Sequence, residues 1–134
     1  MIVDSSAWIA HLRLSRTSAG LRLARALRER EPMLLPDAVL IEVLRGATDY
    51  AHFLRLERAL LSLPRFVPAD ERALARASAL LYARCRWAGI TPRAENDCLI
   101  ACCAIETGLP LLHEDRDFEQ ITRIEPRLRF VALG

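Results

Sequence analysis

The sequence predicts an α/β fold, a three-layer α/β/α sandwich with a short parallel sheet. Short apolar runs, such as residues 1–3 and 109–112, alternate along the chain with longer patterns typical of amphipathic helices. No turn signal for a β-hairpin joins any two of these runs, and strands that are connected by helices run parallel. At 134 residues the chain is long enough to bury one core, so we expect a single domain over residues 1–134.

The first half of the chain contains two predicted strands, 1–3 and 33–35, and four predicted helices. Asp4 or Ser5 is a candidate N-cap for the first helix, and Asp37 is a candidate N-cap for the third, which ends near Gly46. The four helices cover about 5–12, 18–30, 37–46 and 50–62. The side chains expected to face the core from the second helix are Leu21, Ala24 and Leu27, with Leu23 beside them. Those from the fourth are Phe53, Leu56, Leu60 and Leu61.

The second half begins with a weak strand at 65–67 and the longest helix, 70–87. That helix is expected to turn Leu74, Ala77, Leu81 and Cys85 inward. Thr91 and Pro92 resemble a cap and a first helical position for the next helix, which ends at Gly108. A strand at 109–112, a turn or two of helix at 118–121 and an edge strand at 129–131 complete the chain.

Composition narrows the class of protein. The longest uninterrupted apolar stretch has eight residues, Cys98 to Ile105, whereas a membrane helix needs ~20. We therefore expect a soluble, cytoplasmic protein. The four cysteines and three histidines lack zinc-ligand spacing, and buried, reduced thiols explain the cysteines. All 19 basic residues are arginines, which either indicates phosphate recognition or reflects genomic codon bias.

Four acidic residues are candidates for one site. Asp4 follows the first apolar strand and Asp115 follows the strand at 109–112, and the carboxyl edge of such a sheet is where ligands bind. Glu42 and Asp97 interrupt apolar helical patterns. Each acid alone has an ordinary explanation: an N-cap, a pair with Arg45, a helix dipole or a solvated turn. Together they indicate a divalent metal site, because clustered carboxylates otherwise oppose folding.

Four motifs carry a resemblance to a known family. In order they are Ile-Val-Asp-Ser-Ser, Glu-Val-Leu-Arg-Gly, Asp-Cys-Leu-Ile-Ala-Cys-Cys-Ala and Asp-Arg-Asp-Phe-Glu. This order resembles the PIN domain, and more closely the VapC-type toxin ribonucleases of bacterial and archaeal toxin–antitoxin pairs. The similarity covers essentially the whole chain. One departure is His113, where relatives often carry Thr, and its role stays open.

The resemblance implies a function and a set of site residues. It implies an endoribonuclease, a hydrolase of RNA phosphodiester bonds that uses Mg²⁺ or Mn²⁺, with tRNA or rRNA as substrate. Asp4, Glu42, Asp97 and Asp115 would be catalytic. Asp4 and Asp97 would bind the metal directly, while Glu42 and Asp115 would bind through water or hold a second ion. Ser6 and Asp117 would support these ligands. Arg45 and Arg93 neighbour the acids, so we expect them to hold the RNA backbone.

The same resemblance implies a partner, a VapB-like antitoxin whose tail folds on this protein. The Leu and Ala residues of the helices at 18–30 and 50–62 are expected to form the apolar groove for that tail, and a separate apolar patch is expected to support a homodimer. Two other functions stay open at this stage. One is a non-catalytic PIN-like scaffold that binds RNA or protein. The other is a metal-binding phosphotransfer domain, which is weakened because Asp4 has no acidic neighbour and the chain has no lysine.

Overall fold

The computed structural model describes residues 1–134 and has a parallel sheet at its centre. Strand β1 (Ile2–Val3) pairs in parallel with β2 (Leu111–Leu112), in the register Ile2 to Leu111 and Val3 to Leu112. Three more segments join by single parallel bridges: Ile2 to Leu34, Leu35 to Arg65 and Leu111 to Phe130. The predicted strands at 33–35, 65–67 and 129–131 therefore belong to the sheet, although each contributes only one or two residues.

The order of the segments across the sheet indicates where a ligand would bind. Starting from one side, the order is residue 65, residues 34–35, β1, β2 and residue 130. The chain proceeds to one side from β1 and returns to the other side at β2, so the direction of winding reverses between these two strands. Ligands bind at such a switch point, beyond the carboxyl ends of the strands. Asp4 and the segment that follows Leu112 lie at this position.

Seven helices cover the sheet. Their bounds are α1 (Ser5–Leu12), α2 (Ser18–Arg28), α3 (Asp37–Leu44), α4 (Tyr50–Leu61), α5 (Glu71–Trp87), α6 (Glu95–Thr107) and α7 (Asp117–Ile124). Contacts link α1 to α2 and α3, and α3 to α4, whereas α5, α6 and α7 contact one another. One further contact, between α3 and α6, joins the two sets. Right-handed crossovers place these two sets on opposite faces of the sheet. The predicted three-layer sandwich is confirmed.

The helix starts agree with the sequence at some positions and differ at two. Asp4 caps α1 as predicted, by accepting a hydrogen bond from the Ser6 amide. The prediction that Asp37 is the N-cap of α3 is wrong, because Pro36 occupies that position and the Asp37 carboxylate instead binds Arg65 at 2.7 and 3.0 Å. The helix α6 begins at Glu95 and not at Pro92, because the Arg93 amide donates to Asp117.

Three predictions about inward-facing side chains are also wrong. On α2 the buried residues are Ala19, Gly20, Leu23 and Ala26, whereas Leu21 is 52% exposed. On α4, Leu61 faces solvent, and on α5 only Leu81 and Cys85 are buried while Ala77 is exposed. Each of these helices is covered on one narrow side only, so a stripe of alanines and leucines in the sequence does not determine which side that is.

Many of the apolar residues in the sequence lie in the core. It is a cluster of 27 buried residues, which includes the residues of β1 and β2 as well as Leu23, Ile100 and Phe118. All four cysteines are free and buried, as predicted. One buried acid, Glu125, is paired with Arg84 at 3.3 Å and Arg127 at 2.8 Å, which ties the end of α7 to α5. None of the seven helices combines the length and the apolar character needed to cross a membrane.

Candidate active site

The first acid is fixed at the end of β1. Asp4 is 3% exposed, and its backbone amide donates to the carbonyl of Leu112, which extends the β1–β2 pairing by one step. Its Oδ2 accepts from the Ser6 amide at 2.9 Å and from the Ser6 hydroxyl at 2.5 Å. Oδ2 of the carboxylate thus caps α1, whereas Oδ1 takes no part in the cap.

Ser6 and Glu114 join the two sides of this edge. The Ser6 hydroxyl, while donating to Asp4, accepts a hydrogen bond from the Glu114 amide at 2.9 Å. The Glu114 carboxylate in turn accepts from the Ala19 amide in the first turn of α2, at 3.2 Å. The loop between β2 and α7 is therefore held in place by α1 and α2, and this loop carries Asp115.

Three acids form what we call the inner group: Asp4, Glu42 and Asp97. Asp97 is 4% exposed, in the first turn of α6, and the Glu42 side chain is 11% exposed, near the end of α3. Each of the three contributes one buried oxygen with no hydrogen-bond partner: Oδ1 of Asp4, Oε1 of Glu42 and Oδ2 of Asp97. Buried carboxylate oxygens are almost always paired, and the charges of Asp4 and Glu42 both act on Asp97, so these three unpaired oxygens fit the chemistry of a bound cation.

An outer group shares Asp97 with the inner one and adds Asp115 and Asp117. One carboxylate oxygen from each of these three residues lies within 4.8 Å of the other two. Arg93 closes this group from outside, since its guanidinium donates to Asp115 Oδ1 at 2.9 Å and to Asp117 Oδ2 at 3.2 Å. The Asp117 amide also donates to Asp115 Oδ1 at 3.0 Å. The outer group is thus already neutralised in part by an arginine.

The acidic side chains have altered proton affinities. Burial raises the pKa of Asp97 to about 7, and the nearby charges of Asp4, Asp115 and Asp117 add to the effect. Burial also raises the pKa of Asp4, although the hydrogen bonds from Ser6 oppose the rise. The pKa of Glu42 is raised by burial and by the Asp4 charge, while Arg45 and Ser5 lower it. The inner group therefore resists full ionisation until a cation compensates its charge.

The donor set matches a hard divalent cation. Every available ligand atom is a carboxylate oxygen, and Mg²⁺ and Mn²⁺ prefer such ligands over nitrogen or sulfur. The nearest cysteine in sequence, Cys98, is fully buried, and burial raises the pKa of its thiol to about 12. A thiolate is consequently not part of the site. The unpaired oxygens of Asp4, Glu42 and Asp97 fit a metal.

The remaining residues singled out from the sequence, Arg45 and His113, differ in how they contact the acidic residues. Arg45 is exposed and only 3.9 Å from Glu42, a loose pair that leaves its guanidinium free to move. His113 packs against two aromatic rings: its ring centroid lies 4.5 Å from that of Phe130 and 5.1 Å from that of Phe118. Its Nδ1 accepts from the Asp115 amide at 3.1 Å, and burial lowers its pKa.

Sequence analysis missed two residues that shape the site. Glu114 was not singled out, because a solvated acid in an acidic turn has no distinguishing pattern, yet it anchors the loop to both α1 and α2. Ser5 is buried beside Asp4, and its nearby side chain lowers the pKa of Glu42. Its position in the Asp-Ser-Ser motif was the one available signal.

Comparisons with known proteins agree with this architecture. The family model of the PIN domain matches residues 1–124. The chain is 36% identical over 125 residues to the VapC ribonuclease Mb1587 of Mycobacterium bovis, which covers 92% of both proteins. It has the same identity and coverage with the ribonuclease VapC11 of two Mycobacterium tuberculosis strains, CDC 1551 and H37Rv.

Proposed function

This chain belongs to the PIN domain family and resembles the VapC ribonucleases within it, and from that premise we propose that it is a metal-dependent endoribonuclease toxin. The reaction is hydrolysis of an RNA phosphodiester bond, with tRNA or rRNA as the substrate. We also propose that residues 1–134 form one domain that contains the whole site. The observation that carries the proposal is the set of unpaired buried oxygens on Asp4, Glu42 and Asp97.

The acids have distinct tasks in this proposal. Asp4 and Asp97 would hold Mg²⁺ or Mn²⁺ directly, and Glu42 would act through water or hold a second ion. Asp115 contributes from the β2–α7 loop, and Asp117 supports it and lies close enough to serve as a ligand itself. When bound, the cation supplies Lewis acidity that lowers the pKa of water and offsets charge on the phosphate. One carboxylate of the inner group orients the attacking water.

Arg93 and Arg45 bind the phosphates of the substrate in this proposal. Arg93 occupies the face of Asp115 and Asp117 from which RNA would arrive, and its side chain is 76% exposed. A guanidinium binds phosphate as readily as carboxylate, so Arg93 can exchange one for the other when a cation neutralises the acids. Arg45 lies at the Glu42 side and contacts the backbone there. Both are thus positioned to hold phosphates on either side of the acids.

The direct test is cleavage of a tRNA and rRNA mixture by the purified chain. We expect fragments with millimolar Mn²⁺ or Mg²⁺ and none in EDTA. The variant Glu42→Gln should cut at least tenfold more slowly, because it removes a charge from the inner group while keeping the shape of the side chain. Glu71→Gln, at an exposed site in the first turn of α5, is the matched control and should cut normally. RNA binding without metal-dependent cleavage would indicate a scaffold instead.

We propose a VapB-like antitoxin as the inhibitor. An acidic site open to cations can be blocked by a basic side chain, so a tail that carries Arg or Lys would enter in place of the metal. The helices α2 and α4 offer apolar side chains to such a tail, since Leu21 is 52%, Tyr50 73% and Leu61 58% exposed. These side chains support docking of an amphipathic segment.

Competition between tail and metal checks this arrangement. We expect calorimetry to show at least tenfold weaker binding of the antitoxin tail when Mn²⁺ is saturating, and weaker binding to Glu42→Gln than to wild type. The physical reason is that both ligands need the same carboxylates. Equal affinity under all of these conditions would mean that the tail inhibits from another surface.

We also propose a homodimer, which uses a different face. A cavity of about 450 Å³ runs along α5 and α6, and its walls include Ala73, Ala77, Leu80 and Ile105. Trp87, at the end of α5, is 76% exposed. The small side chains of α5 would let a helix of a second copy approach closely.

A further inference from the structure

A second cavity lies beside the acids, on the other side of the β2–α7 loop. Its volume is about 380 Å³, within the ~300 to 1,000 Å³ typical of small-ligand pockets. Leu111 and Leu112 of β2 form its floor, and Phe130 of the edge segment forms a wall. Asp115 lines this cavity and also belongs to the outer group. A chain molecule held at the acids can therefore reach the cavity with its next unit.

His113 gives one wall of the cavity a fixed hydrogen-bond donor. Because Nδ1 accepts from the Asp115 amide, the neutral ring carries its proton on Nε2. Phe118 and Phe130 hold the ring plane from two directions. Nε2 has no partner within the protein. Aromatic walls with a single oriented donor suit an unstacked base of single-stranded RNA, which is recognised by stacking and by its polar edge.

Two charged side chains stand at the rim of the same cavity. Arg116 and Glu119 are exposed and line it, and neither takes part in an ion pair. Arg116 is suited to the sugar-phosphate backbone. The Glu119 carboxylate can only accept hydrogen bonds, so it favours a base that presents amino hydrogens, as cytosine does with N4. Uracil has no exocyclic amino group: its O4 acceptor stands where cytosine has N4 and would repel the Glu119 carboxylate, which leaves only N3–H as a donor.

We propose that this cavity binds the nucleobase next to the cleaved phosphodiester and discriminates against uracil through Glu119. The inference rests on the proposed ribonuclease function, and it adds to that function a specificity-determining residue outside the acidic groups. Glu119 sets which base is accepted, His113 and Phe130 provide the stacking surface, and Arg116 holds the adjoining backbone.

Sequencing of cleavage products tests the discrimination. The substrate is an unstructured RNA oligonucleotide pool with randomised positions, cut by wild type with Mn²⁺. We expect uracil to be depleted at least threefold at one position flanking the cut, and Glu119→Gln to remove most of that depletion. Glu71→Gln should retain it. A wild-type profile without uracil depletion at any flanking position, or an unchanged profile in Glu119→Gln, overturns the proposal.

A second measurement separates this proposal from the ribonuclease function. His113 is one of three histidines, so His11→Gln and His52→Gln identify its ring signals by NMR. In EDTA, millimolar cytidine monophosphate should shift the His113 signal more than uridine monophosphate does, and Ser18→Trp should abolish the shift by filling the cavity. If wild type fails to cut RNA but this shift appears, the proposal that the cavity binds a base is supported and the proposal of nuclease activity is refuted. A His113 signal that no nucleotide moves rejects the cavity as a base site.

Discussion

Asp97→Asn should lower the rate of RNA cleavage about a thousandfold and at the same time stabilise the metal-free protein. Asp97 belongs to both acidic groups, so its charge is needed for any cation held there, and a metal's contribution of several kcal/mol corresponds to about three powers of ten in rate. Without metal the ionised carboxylate is buried among like charges, which is why its pKa is raised to about 7. A neutral amide removes that repulsion.

The stabilisation has a predictable pH dependence. The pKa of Asp97 is higher in the folded protein than in the unfolded chain, so the folded state binds the extra proton between about pH 4 and pH 7. Stability conferred by that proton is lost as the pH rises through 7. The melting temperature of Asp97→Asn in EDTA should therefore exceed that of wild type by roughly 5 °C at pH 8, and by less at pH 5.

Asp70→Asn is the matched control for this experiment. Asp70 caps α5 by accepting from the Ala73 amide, and asparagine caps a helix equally well. We expect its cleavage rate and melting temperature to equal those of wild type. Full activity in Asp97→Asn, or loss of its fold, would contradict the assignment of Asp97 to the metal site.

Millimolar Mn²⁺ should raise the melting temperature of wild type by about 10 °C at pH 8. A ligand that binds only the folded state stabilises it by RT ln(1 + [L]/Kd), or ~2.7 kcal/mol at a hundredfold excess over Kd. The shift should shrink at pH 6, because protons on Asp97 and its neighbours compete with the cation. Differential scanning fluorimetry or calorimetry measures the shift directly.

Two comparisons identify the source of that shift. The double variant Asp4→Ala/Asp97→Ala lacks two of the three unpaired oxygens and should show no shift with Mn²⁺. A zinc chelator should leave wild type unchanged, since the donor set holds no available thiolate. An equal Mn²⁺ shift in the double variant would locate the cation elsewhere on the surface.

The parts of the fold that were predictable are those with strong local signals. Each strand segment is a short apolar run between helix patterns, and Asp4, Asp49 and Asp70 cap helices because their side chains bind the first free amides. The orientation of α2 was not predictable. Its alanines and leucines occur on several sides, and only packing against α1 selects Leu23 over Leu21.

The same distinction applies to the candidate site: residues with a local signal in the sequence could be predicted, and the partners of these residues could not. The four acids were identifiable because acids that follow or interrupt apolar patterns are unusual, and the structure brings them to one edge of the sheet. The partners of these acids were not identifiable. Arg93 was expected to face RNA, but its three hydrogen bonds to Asp115 and Asp117 depend on a loop geometry that no local pattern encodes. The cavity beyond His113 also depends on which way that ring turns.

The separation along the chain between Asp4 and Asp115 determines when the acidic site becomes complete during synthesis. A ribosome that has produced the first hundred residues has made Asp4, Glu42 and Asp97, but neither β2 nor the loop that closes the site. The edge segment is later still, since the Val131 amide donates to the Leu111 carbonyl. Domains fold as units, so the acidic site stays incomplete in a nascent chain that still lacks β2 and the edge segment.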